Sequence, residues 1–181
     1  MELDYVKHLS VMDESVLREL MKAYGQNVWD YAYVLTRRRD YADDVSQDVF
    51  ISAYKNIGSF RGESSVKTWL LTITRNISLN YMRSAFIRRA VLFEWVGIRG
   101  AAQSAENEYL ALSERDEIWD CVLALPDKFR EPLVLEAKYG MSIKEIAGLL
   151  GITEGTTKSR LHRARAKVSR MLKEAEGYEI L

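Results

Sequence analysis

Apolar residues return every three or four positions along most of this chain, and almost no stretch alternates with the period of two that a strand needs. Val16, Leu17, Leu20, Met21, Tyr24, Val28, Tyr31, Ala32 and Leu35 make one stripe of a helix predicted over Asp13 to Arg37. Asp40 can cap a second helix through about Ile57, with Val45, Val49, Phe50, Ala53 and Tyr54 facing inward and Gly58 as its stop. Ser64 or Ser65 caps a third, to about Arg83. It turns Val66, Trp69, Leu70, Ile73, Ile77 and Tyr81 to one side and Lys67, Thr68, Thr72, Arg75, Asn76 and Arg83 to the other, with Asn80 near the boundary. From Ala90 to Tyr109 the periodicity decays, and a connection carrying Phe93 and Trp95 is predicted there.

The pattern resumes near Leu110 with a helix through Trp119 to Ala124. Leu125 and Pro126 break it, and a short helix from Lys128 to Lys138 ends at Gly140. Ser142 then caps Ile143 to Leu150, with Glu145 three residues on as a capping box requires. Gly151 closes that helix, and Thr153 caps a basic one to about Glu174. The expectation is an all-α protein of two small helical domains, 1–89 and 110–181, joined by a linker at 90–109.

Residues Ser142 to Leu161 have the layout of a helix-turn-helix. Ala147 is small where two helices cross, Gly151 can take the left-handed conformation of a tight turn, and Ile146, Leu150, Ile152 and Leu161 fill the angle between them. The second helix is predicted to expose Glu154, Thr156, Thr157, Lys158, Ser159 and Arg160, residue types that contact bases or phosphates in a major groove, followed by His162, Arg163, Arg165 and Lys167 as backbone contacts.

Charge sharpens that reading. The 181 residues carry 26 basic and 26 acidic side chains, and the zero net charge alone argues against a nucleic-acid partner. Yet Thr156 to Lys173 holds seven basic residues and no acid, whereas Ala102 to Asp127 holds seven acids against the single Arg115. The one cysteine, Cys121, forms no internal disulfide and reads as an ordinary buried thiol, and with only His8 and His162 beside it no structural zinc site is implied. No run approaches the roughly 18 to 20 apolar residues that span a bilayer, and Met1 to Ser10 carries no secretion signal, so a cytoplasmic protein without membrane insertion is expected.

A helix-turn-helix does not name its function, but three separated blocks together resemble one family. Asp40 to Tyr54 (DYADDVSQDVFISAY), Ser59 to Asn76 (SFRGESSVKTWLLTITRN), and the helix-turn-helix with Leu125 to Leu133 (LPDKFREPL) before it are similar to the extracytoplasmic-function sigma factors of RNA polymerase. The resemblance covers about Met21 to Leu172.

It implies that Asp43, Asp44, Gln47 and Asp48 face a coiled coil on the polymerase's largest subunit. It implies too that Phe60, Arg61, Ser64, Ser65, Lys67, Arg75, Asn76 and Asn80 melt and read the minus-10 element around one flipped base, and that the basic helix reads the minus-35 element. Independently of the family, clustered carboxylates one turn apart suit an arginine-rich partner, and an aromatic wall with amides and cations can offset the few kcal/mol of base extraction. Many members carry a basic residue at Thr72 and a valine at Thr157. The partners implied are core RNA polymerase, promoter DNA as duplex and as melted single strand, and an anti-sigma protein; no cofactor and no catalysis are implied.

Two other readings remain open at this point. One is a stand-alone helix-turn-helix regulator that binds duplex DNA without polymerase. The other is an enzyme such as a recombinase, which needs a nucleophile clustered with arginines. Asp43 and Asp44 are adjacent rather than facing, and no glycine-rich phosphate loop is present.

Overall fold

In the computed structural model of the chain, the Asp13 carboxylate accepts the Val16 amide at 2.9 Å and starts α1, Glu14–Thr36. The structure describes Val6, residues 11–96 and residues 117–178, with side chains through 86 in the first stretch and 175 in the second. The chain divides into two compact units, Met1–Tyr109 and Leu110–Leu181, with no strand among the described residues. No described helix is long and apolar enough to cross a membrane.

α1 stops at Arg37, whose φ of 57° is left-handed and whose amide returns to the Tyr33 carbonyl at 2.8 Å. α2 follows at Arg39–Asn56 with Arg38 at its cap position. Asp40 is therefore not the cap. It sits in the first turn and pairs with the Arg38 guanidinium, which holds its carboxyl below the ordinary range. A 3₁₀ turn, Ile57–Ser59, replaces the simple stop expected at Gly58.

α3, Val66–Val96, begins at Ser65, whose hydroxyl accepts the Thr68 amide at 3.1 Å. It runs well past Arg83 and occupies the first part of the predicted linker. Residues 97–116, and the side chains of Phe93 and Trp95, lie outside the described residues.

The three helices of this unit all pack on one another, around Leu20, Val28, Tyr31, Val45, Val49, Leu70 and Leu71. Each such side chain contributes about 1.5–3 kcal/mol by leaving water. The buried face of α3 is only partly the predicted one: Val66 and Leu70 are buried as expected, and the rest of the face is rotated. Leu70, Leu71, Thr74 and Ser78 are sealed, Thr68 is buried too, and Trp69, Ile73 and Ile77 are only half-buried. The hydroxyl of Thr74 donates to the Leu70 carbonyl at 2.8 Å, so this polar residue enters the core with its donor satisfied. Met21 and Tyr54, predicted inward on α1 and α2, are exposed.

The carboxy-terminal unit contains α4 (Glu117–Ala124), α5 (Asp127–Ala137), α6 (Ile143–Leu150) and α7 (Glu154–Tyr178). Arg130 is buried, with 6% of its surface exposed, and its guanidinium donates to the carbonyls of Leu123 at 3.1 Å and Leu125 at 3.0 Å and to Asp127 Oδ1 at 2.6 Å. It thereby ties the end of α4 to the start of α5, a role the sequence reading missed. Cys121 is half-buried rather than sealed, and burial raises its thiol pKa.

Candidate nucleic-acid interface

The helix-turn-helix rests on local chemistry at both sides of its turn. Ser142 and Glu145 complete the capping box: the Glu145 carboxylate accepts the Ser142 amide at 2.8 Å, and the Ser142 hydroxyl accepts the Glu145 amide at 3.3 Å. At the other end Gly151 adopts φ 67°, and the Ile152 amide reaches back to the Ala147 carbonyl at 3.0 Å, a Schellman closure that a side chain at residue 151 would strain. Thr153 then accepts the Thr156 amide at 3.1 Å and begins α7. Ile146, Ala147, Leu150 and Leu161 are buried in the elbow, so the direction in which α7 leaves the turn is set by packing as well as by caps.

One predicted contact is lost. Thr157 is 0% exposed, and its hydroxyl donates to the Thr153 carbonyl at 3.1 Å. It belongs to the inner face of α7 with Leu161 and Ala164.

The rest of α7 sorts by face. Glu154, Lys158, Ser159, His162 and Arg163 are exposed, while Thr156 and Arg160 are half-buried. Two of the expected phosphate contacts are engaged inside the unit: the Arg165 guanidinium pairs with Glu136 of α5, and the Lys167 ammonium lies 5.8 Å from the centre of the Phe129 ring. The outward turn-by-turn strip is Ser159, His162, Arg163 and Arg170, all exposed.

In the amino-terminal unit, Phe60 is 7% exposed with its ring stacked on Trp69, centroids 4.9 Å apart. It is a wall, not a projecting platform. Arg61 is exposed, Ser64 half-buried, and Ser65 is taken up in capping α3. Lys67 and Arg75 are half-buried on α3, and Asn76 and Asn80 stand exposed one turn apart. This places two amides side by side on the surface, with Arg75 next to them in sequence.

The acidic face of α2 is more structured than its sequence indicates. Asp43 accepts the Trp29 indole N–H at 2.6 Å, and that indole stacks parallel on Tyr33 at 5.6 Å. Asp48, half-buried, accepts the Tyr81 hydroxyl at 2.7 Å. Asp44 and Gln47 are exposed, and in register with them the sequence reading missed two apolar residues, Ile51 (50% exposed) and Tyr54 (45%). The signal was present: residues 44, 47, 51 and 54 follow the helical period.

The Asp48 carboxylate, first by accepting its hydrogen bond, and then burial push the Tyr81 hydroxyl up from 10.0 to about 12. A raised tyrosine favours the protonated form in the folded state. Its contribution to stability is therefore full below the ordinary tyrosine pKa and is lost as pH rises through about 12. In a phenolate absorbance titration, the difference between the natural chain and Tyr81→Phe is expected to centre near pH 12; a difference centred near 10 would show that Asp48 does not hold the hydroxyl.

Residues 20–85 match Sigma-70 region 2, and residues 115–168 match Sigma-70, region 4. The RNA polymerase sigma factor YlaC of Bacillus subtilis is 28% identical over 90% of this chain and 95% of its own. The ECF RNA polymerase sigma factor SigM of Mycobacterium tuberculosis is 32% identical over 88% of this chain and 79% of its own. Among solved structures, a chain of the co-crystal of sigma factor RpoE with anti-sigma factor NepR from Bartonella quintana superposes with a TM-score of 0.68, at 26% identity, over 86% of this chain and 96% of that one. Similarity that spans both regions favours an initiation factor over a stand-alone regulator or an enzyme. The chain belongs to the extracytoplasmic-function subfamily of the sigma-70 RNA polymerase sigma factors, the subunits that bind core RNA polymerase and direct it to promoters.

Proposed function

We propose that the two units divide promoter recognition between them, with the α2 face carrying the link to polymerase. Asp44, Gln47 and Asp48, extended by Ile51 and Tyr54, dock on a basic segment of core polymerase, the apolar pair supplying area and the carboxylates supplying orientation. Asn76, Asn80, Arg75, Arg61 and the Phe60 wall take the melted strand at the minus-10 element. Ser159, His162, Arg163, Lys158 and Arg160 of α7 enter the major groove at the minus-35 element. Residues 1–89 serve the first two tasks and 110–181 the third, with 90–109 between them.

The observation that carries this reading is the mounting of α7: a basic outward strip on a helix whose direction is set by a capping box, a left-handed glycine and a packed elbow. Each DNA surface is small, and holding both on one polymerase raises their effective concentration, so a chain of zero net charge becomes selective. The protein works in the cytoplasm, where promoter and polymerase meet. An anti-sigma protein is its expected inhibitor, as in the complex of the structural relative.

The test is run-off transcription and gel shift with the purified chain, core RNA polymerase and fragments of the source genome, each component also taken alone. Specific transcripts are expected only when chain and core are combined. Specific DNA binding by the chain alone, unchanged by polymerase, would overturn the reading.

A further inference from the structure

Tyr81 of α3 reaches Asp48 of α2 across 33 positions of sequence, and the contact is one link in a longer chain of groups. The Tyr81 ring meets Tyr41 at 66° with centroids 6.0 Å apart, so its own placement is set from α2. Tyr41 in turn lies under the Arg38 guanidinium, 4.0 Å from its ring centre, and Arg38 pairs with Asp40. Asp48 and Tyr81 are both half-buried. A phenol-to-carboxylate bond in that setting is short and charge-assisted, and it occupies one oxygen of Asp48 while leaving the lone pairs of the other. A free aspartate on a helix surface samples several rotamers; this one is held in one.

We propose that Tyr81 is a positioning residue for polymerase docking: its hydroxyl fixes the Asp48 carboxylate so that the second oxygen is presented, already oriented, to a cationic side chain of core polymerase. The proposal rests on the reading of the α2 face as the docking surface. Pre-setting the carboxylate removes a rotamer loss that binding otherwise incurs, and it aligns Asp48 with the neighbouring Asp44 and Gln47. The device is missing from any description of α2 alone, because the donor comes from the helix assigned to DNA.

The experiment is a double-mutant cycle on the full chain, measuring the Kd for core RNA polymerase with natural sequence, Tyr81→Phe, Asp48→Asn and both together, and the thermal midpoint of each. Asp48→Asn keeps a carbonyl oxygen to accept the Tyr81 hydroxyl, so the contact between the helices survives while the charge is removed. Tyr81→Phe is expected to weaken core binding about five-fold, a modest loss suited to one disordered charge pair. In the Asp48→Asn background it is expected to add nothing.

If Asp48→Asn binds core like the natural chain, the docking reading fails at this residue. If Asp48→Asn weakens binding but Tyr81→Phe does not, or if Tyr81→Phe carries the same loss in both backgrounds, positioning is overturned while docking stands. Should Tyr81→Phe melt early, Tyr41→Leu decides the matter, since it leaves the hydroxyl and removes the ring that sets it. A loss that vanishes with Asp48→Asn supports the proposal, and one that persists overturns it.

Discussion

Arg130→Ala is expected to destabilise the carboxy-terminal unit by about 3 kcal/mol, a large share of what a unit of this size has to lose. Alanine removes a guanidinium that is 6% exposed and leaves the Leu123 and Leu125 carbonyls without their donor at the junction of α4 and α5. Asp127 is exposed and returns to water, so the loss comes from the carbonyls and from the packing of the arginine stem rather than from the ion pair. Hydrogen exchange in the full chain reads it directly: amides of α5, α6 and α7 should exchange roughly 100-fold faster in the global-opening regime, while those of α1 and α2 keep their rates. Arg130→Lys cannot supply the fork to two carbonyls and a carboxylate at once and should fall between. Unchanged protection in α6 and α7 would show that the carbonyls find other partners.

Asp44→Arg is expected to reduce affinity for core RNA polymerase about 100-fold, equivalent to about 2.7 kcal/mol, by placing like charge against a cationic partner. Asp44 is the better probe of the acidic face than its neighbours. It is exposed, whereas Asp43 holds the Trp29 indole and Asp48 holds Tyr81, so replacing either of those by arginine also disturbs contacts within the unit. The melting temperature should stay within a degree or two of the natural chain, and binding of the isolated chain to duplex DNA should not fall. Equilibrium titration of labelled chain with core polymerase checks the first expectation. A Kd within a factor of three of the natural value would remove Asp44 from the interface.

The elements legible in the sequence are those whose ends are set by nearby residues. α6 runs over Ile143–Leu150 as read, because Ser142, Glu145 and Gly151 define both its ends within ten residues of chain. What escaped the reading depends on partners far away or on polar groups that satisfy themselves. Thr74 and Thr157 look like surface residues in a hydropathy pattern, but each returns its hydroxyl to the carbonyl four residues earlier and so enters a core with its donor satisfied. That effect brings Thr74 into the buried face of α3, where Ser78 is sealed without a partner for its hydroxyl, and it removes Thr157 from the α7 contact list.

Arg130 and Tyr81 escaped for a different reason. A charged residue near a proline break, or a tyrosine at the edge of an apolar stripe, says nothing in one dimension about carbonyls five and seven residues back or a carboxylate on another helix. The candidate site residues stand out in the sequence as chemistry, in amides, cations and acids at helical spacing, and less so as geometry. Ile51 and Tyr54 stand in register with the acidic residues, yet the pattern places Tyr54 inside because aromatic residues usually pack there.

The separation of faces on α7 bears on how such a factor can be re-addressed. Thr157, Leu161 and Ala164 hold the helix to its unit, while Ser159, His162, Arg163 and Arg170 share none of that burial. On the proposed reading, substitutions at Ser159, His162 and Arg163 change the groups offered to DNA and leave the scaffold untouched, since exposed exchanges away from special contacts are usually within half a kcal/mol of neutral. On that reading, promoter choice is a rewritable label on an unchanged body, and libraries randomised at Ser159, His162 and Arg163 should yield sigma factors with altered promoter preference.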